Sequence, residues 1–136
     1  YMGLNKEKIS RIIGESKRFC SPFSDPEPYY IIDSDTDRPD RNSIDLFYRK
    51  LTYAVRNADI LIGGAFDDGF YNFYGINRDI VRSPSEIADQ LYFDSFVLNI
   101  KDNSIGACLS NSEFMFGHFI EVRWDNDWKL IGTWID

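Results

Sequence analysis

The end of the chain alternates in a way that leaves little freedom. Phe114, Phe116, His118, Ile120, Val122 and Trp124 fall on every second position. In a strand, such residues share one face. Five of the six are large and apolar, so this segment is expected to lie with that face on a core. Asp125-Asn126-Asp127 then supplies turn chemistry, and residues 128–134 read as a returning arm. The pattern predicts a β-hairpin. It also holds the only histidine of the chain, His118. That histidine is flanked on its own face by Phe116 and Ile120, which favours a packed, hydrogen-bonded role over that of a general base.

The rest of the chain divides by period. Asn5 is placed to cap a first helix, with Ile9, Ile12, Ile13 and Ser16 on one face and Phe19 extending the stripe. Pro22, Pro26 and Pro28 end it. Residues 28–32 read as a short strand and 33–41 as a polar loop. Asn42 or Ser43 is expected to cap a second helix, whose stripe is Ile44, Phe47, Tyr48, Leu51, Val55 and Ala58. Asp45 and Arg49 stand one turn apart there and can pair. Leu61 and Ile62 are expected to start a strand, with a bend at Gly63-Gly64 and a hairpin turn at Asp68-Gly69 before residues 70–74. Ser83-Pro84-Ser85-Glu86 opens a short third helix reaching about Tyr92. Strands follow at 96–100 and 105–109, around a turn at Asp102-Asn103. Helices in the N-terminal half and an antiparallel meander in the C-terminal half make an α+β chain, expected as one domain over residues 1–136.

Composition narrows the functional classes. The net charge is −7. Phosphate contacts need clustered Lys and Arg, so neither nucleic acid nor an anionic membrane surface is an expected ligand. A basic protein partner fits the charge, although acidity also serves solubility alone. Aromatic residues make up 16% of the chain, more than a core of this size obviously needs, which points to some at a groove or interface. Cys20 and Cys108 form no metal-binding spacing with a single histidine, so no zinc site is expected. Two thiols in a reducing cytosol is the default, with one disulfide left open. The polar, charged N-terminus does not resemble a signal peptide, and Tyr1 reads as a residue ahead of a native start at Met2. No apolar run approaches the length of a membrane span.

Few segments carry chemistry. Asp33-Ser34-Asp35-Thr36-Asp37 begins like a calcium loop, with carboxylates at alternate positions. Arg38 then stands where the sharp turn wants Gly, and Ile44 where a bidentate Glu is needed. A solvated turn or an acidic epitope fits better. No nucleophile elbow, phosphate-cradling loop or dinucleotide fingerprint is present, and no cofactor is expected. Asp67 and Asp68 are adjacent, so on a strand they face opposite ways and converge poorly for acid–base work. Around them cluster Phe66, Phe70, Tyr71, Phe73 and Tyr74. Aromatics beside carboxylates suit a surface that grips a basic partner, though alternation assigns about half of them to a core. The expected partner-binding set is Asp67, Asp68, Phe66, Phe70 and Tyr71, with Asp35 and Asp37 as a charged rim.

Two resemblances sharpen this. Residues 109–122, around Phe116-Gly117-His118-Phe119-Ile120, with Trp124 and the acidic turn beyond, resemble immunity proteins of bacterial contact-dependent inhibition and polymorphic-toxin systems. The resemblance covers about a quarter of the chain, and no universal motif defines that class. It implies a non-enzymatic cytoplasmic protein that binds a cognate toxin domain, often a nuclease, and neutralises it. It does not say which residues bind. The order of helices followed by a meander ending in residues 123–132 also looks like the cone-shaped fold of nuclear-transport-factor-2-like proteins. That would imply a small-ligand binder, or an isomerase or dehydratase, with Phe114, Phe116, His118 and Trp124 lining a pocket.

Overall fold

The computed structural model describes residues 3–36, 38–66, 88–111 and 119–135. Helix α1, Lys6–Ile13, starts where Asn5 accepts a hydrogen bond from the Lys8 N–H at 3.0 Å, the expected cap. It stops at Gly14, whose φ of 53° lies in the left-handed region that glycine tolerates. The apolar stripe therefore ends with Ile13, and Phe19 belongs to the next segment, bridged to Phe93. Strand β1, Tyr29–Asp33, matches the expected extended segment.

Helix α2, Arg41–Arg56, begins earlier than the sequence suggests. Its cap is Asp40, which accepts from the Ser43 N–H at 2.7 Å, rather than Asn42 or Ser43. Hydrogen bonds from the Ser43 backbone and then from its side chain hold the Asp40 carboxyl below the ordinary carboxylate range. Phe47, Tyr48, Leu51 and Ala54 are its buried face.

Leu61 and Ile62 do not start a strand. They lie within helix α3, Ala58–Phe66. The segment Ala-Asp-Ile-Leu-Ile-Gly-Gly-Ala-Phe is apolar on most sides, so neither a helical nor a strand period stands out. A Cβ at Gly63 or Gly64 would meet nothing within 4 Å, so neither marks a close approach. Tyr92, expected at the end of a helix, opens strand β2, Tyr92–Asn99. The expected helix start at 83–86 and the hairpin at 68–74 lie outside the described residues.

Strands β3, Ser104–Ser110, β4, Ile120–Asp125, and β5, Leu130–Ile135, complete a five-stranded sheet in the order β1-β2-β3-β4-β5. Strand β1 runs parallel to β2, and the rest is antiparallel. The fold is α+β.

Register sorts the side chains into two faces. Tyr30, Ile32, Phe96, Leu98, Ile105, Ala107, Leu109, Ile120, Val122 and Trp124 stand on the inner face, none more than 6% exposed. The expected common burial of Ile120, Val122 and Trp124 is what the structure has. The buried residues of all three helices join this face in one cluster. Aromatic rings bind the layers: Phe19 stacks on Phe93 at 4.2 Å, Phe47 meets Phe96 edge-on at 5.8 Å, and Trp128 lies between Tyr53 at 4.8 Å and Trp124 at 5.6 Å. Trp128 sits at φ 66° in the β4–β5 turn. The Asp125 carboxylate fixes that turn by accepting from the N–H groups of Asp127 and Lys129.

Candidate functional site

The outer face of the sheet is built from the other half of the alternation. Tyr29, Ile31 and Asp33 pair across to Ser95, Val97 and Asn99. Cys108 lies opposite Glu121, and Gly106 opposite Arg123. Glu121 and Arg123 in turn face Trp134 and Gly132. Ile31, Val97 and Trp134 belong neither to the buried cluster nor to the partly buried apolar side chains packed against it. Tyr29 is 68% exposed, Ile131 56% and Trp134 45%. Large apolar groups this open are what an interface needs.

Trp134 is held, not loose. A Cβ on Gly132 would lie 3.2 Å from its ring, so the indole lies flat along β5 over a glycine that leaves room for it. The Arg123 guanidinium sits 6.0 Å from the ring centroid, at the long end of a cation–π contact. Arg123 also reaches Asp102 at 3.9 Å. Asp102 accepts from the Ser104 hydroxyl at 2.7 Å, which accepts from the Asn99 amide at 3.3 Å. These polar links run from the β2–β3 turn to Arg123 and, through its guanidinium, to the tryptophan. Glu121, exposed and opposite Trp134, adds an acid beside the aromatic.

Where β2 begins, three titratable groups gather. Asp94 is the extra residue of a bulge between Phe93 and Ser95. Burial pushes its carboxyl above the usual range, against a backbone hydrogen bond that lowers it. Burial, then the Asp94 charge, pushes the Cys20 thiol up. The Tyr30 hydroxyl, donated to the Cys20 carbonyl, is raised by burial first and by Cys20 and Asp94 next. A thiol shifted this way is not an activated nucleophile at neutral pH. Cys20 and Cys108 are both thiols.

The expected site residues fall unevenly. Phe66 is 1% exposed at the end of α3. Its ring fills the core, so it is not a surface anchor: the helix, not a strand, decides which way it points. Asp35 is exposed, and Lys101 answers its charge at 3.7 Å. In its loop the Ser34 hydroxyl donates to the Thr36 carbonyl at 2.8 Å and the Thr36 hydroxyl to that of Arg38 at 3.1 Å. Asp37, Asp67, Asp68, Phe70 and Tyr71 lie outside the described residues, as do Phe114, Phe116 and His118. Trp124, a wall of the alternative pocket, is 2% exposed within the core. Among the described residues, no three His, Cys, Asp or Glu converge as a metal site would require, and no helix is long and apolar enough to cross a membrane.

Sequence reading missed Trp134 and Tyr29. The signal was available in the hairpin register. If Val122 and Trp124 point inward, Glu121 and Arg123 point outward, and their opposite numbers on β5 point outward with them.

Charge is also less uniform than the net value suggests. Residues 1–56 hold ten Lys and Arg against nine Asp and Glu, while residues 57–136 hold five against thirteen. The acidity belongs to the half of the chain that supplies strands β2–β5. Comparisons with protein-family models, with curated proteins and with solved structures return no match.

Proposed function

We propose that this chain is an immunity protein, which binds a cognate toxin domain in the cytoplasm, a nuclease by preference, and neutralises it without chemistry of its own. The observation that carries the reading is the outer sheet face. A held indole, Trp134, stands beside Glu121, with Tyr29 and Ile131 exposed on the two edge strands. Such a face supplies an aromatic anchor that loses little freedom on binding, together with acids that complement a basic surface. Nuclease domains bind phosphate backbones and are basic for that reason. The acidic balance of residues 57–136 supports the same partner. In this reading the strands present the surface, and the helices on the opposite face hold it rigid.

Co-expression tests it. The toxin domain encoded by an adjacent gene should co-purify with this chain one-to-one, and cells should survive the toxin only when the chain is present. Failure to bind or protect against every adjacent candidate removes the proposal.

A further inference from the structure

The polar side of the helices carries a second surface, of opposite sign. A groove of about 460 Å³ runs between α1 and α2, lined by Lys8, Ile12, Tyr48, Thr52 and Tyr53 with Arg49 and Arg56. Its floor is largely apolar or aromatic. Tyr48 is 8% exposed, and its hydroxyl accepts from the Asn5 N–H at 3.0 Å. Tyr53 is 44% exposed yet fixed by stacking on Trp128. Around this floor stand three cations, all exposed. Lys8 holds its ammonium 4.3 Å from the Tyr48 ring centroid. The ion pairs among the described residues are Lys6–Glu27, Arg18–Asp59, Lys101–Asp35 and Arg123–Asp102, so Lys8, Arg49 and Arg56 have no acidic partner there. Asp45, which lines an adjoining cavity with Lys8, Tyr48 and Arg49, makes no ion pair with Arg49, although their spacing on α2 allows one. In a chain of net charge −7, three cations around one apolar floor, none paired with an acid among the described residues, are a local concentration of positive charge.

We propose that the groove between α1 and α2 docks an acidic amphipathic helix of a partner protein. Three features select that occupant. Arg49, Tyr53 and Arg56 are spaced four and three residues apart, which puts them on one side of α2. Two turns of helix separate the Arg49 and Arg56 backbones by about 10 Å, a spacing that two carboxylates two turns apart on a neighbouring helix reproduce. Ile12, Tyr48 and Tyr53 between the cations offer the apolar contact that a helix-in-groove complex requires and an isolated anion does not use. The inference is independent of the toxin proposal, because it uses the helical side of the molecule and a partner of acidic rather than basic charge.

The test uses the whole chain and three synthetic probes. These are a helical peptide with Leu on one face and Glu flanking it, the same peptide with Lys replacing Glu, and a single-stranded oligonucleotide. Calorimetry should show saturable binding of the Glu peptide alone. Arg49→Glu combined with Arg56→Glu should weaken it by about tenfold or more. Both side chains are exposed, so far-UV circular dichroism should be unchanged. If the double reversal does not fold, Arg49→Gln with Arg56→Gln should still weaken binding by roughly threefold. No binding of the Glu peptide, equal binding by the folded variants, or preference for the Lys peptide or the oligonucleotide would overturn the proposal.

Discussion

The two faces of the sheet are made by the same strands and differ in almost everything else. Inside, Phe93, Phe96, Ile105, Leu109 and Val122 are wholly buried, and rings from α2 and the β4–β5 turn lock against them. Outside, the register delivers small and polar residues, Ser95, Gly106 and Cys108, beside Ile31 and Val97, and the large apolar side chains most open to solvent, Tyr29, Ile131 and Trp134, lie on the two edge strands. Packing density sets stability on the first face. On the second, the large side chains contribute little to the core and remain available to another molecule. Fold and function should therefore be separable by mutation, one face at a time.

The strongest way to break that comparison is on the inner face. Phe96 is fully buried and touches the rings of Phe47 and Trp128. Phe96→Ala should cost about 3–5 kcal/mol of stability, as truncation of a buried phenylalanine does. Urea unfolding would read this as a lower midpoint at nearly constant slope. Whatever fraction stays folded should bind the cognate toxin as the parent does. A loss of only a few tenths of a kcal/mol would mean that this face is not the core.

The complementary change lies outside. Trp134→Ala with Glu121→Lys removes the anchor and reverses the charge opposite it. Toxin binding should weaken by about 2 kcal/mol or more, chiefly through a faster off-rate. The unfolding midpoint should move far less than for Phe96→Ala, because neither side chain is in the buried cluster. Surface plasmon resonance beside denaturant unfolding decides it. Unchanged binding would place the interface elsewhere, and a large stability loss would show that Trp134 serves the fold.

What the sequence disclosed follows the same division. Where one face is buried and the other wet, periodicity shows it. Asn5 as a cap, the Phe47, Tyr48 and Leu51 part of the α2 stripe, and the inward run of Ile120, Val122 and Trp124 were legible, whereas Ala58, expected on that stripe, opens α3. Where a segment is apolar on most sides, period fails, and α3 read as a strand. That error carried Phe66 from the core to a supposed interface. The start of α2 was also misread, because Asp40, Asn42 and Ser43 are all competent caps and only the backbone geometry chooses. The basic groove was not legible as one site, because Lys8 and Arg49 come together only when α1 packs on α2.

The smallest expected effect concerns the residue that the bulge adds to the β2 ladder. Asp94 has no partner on β3, because the register steps from Phe93 to Ser95. Burial raises its folded pKa above the unfolded value of about 3.9. The sign follows from proton counting. Between those two values the folded state binds more protons than the unfolded one, so stability falls as pH rises through that interval. Below the unfolded pKa both states are protonated and the penalty is absent; above the folded pKa it is fully present. Asp94→Asn, which keeps the shape and removes the charge, should therefore stabilise the protein at neutral pH. The group is only part-buried, so solvent screening holds the gain below about 1 kcal/mol. Thermal unfolding of both proteins at neutral pH and again below the unfolded pKa should show that gain shrinking toward zero in acid. A gain that persists unchanged in acid would mean that the carboxylate's charge is not its source, and a loss at neutral pH would mean that the Asp94 charge has a favourable partner.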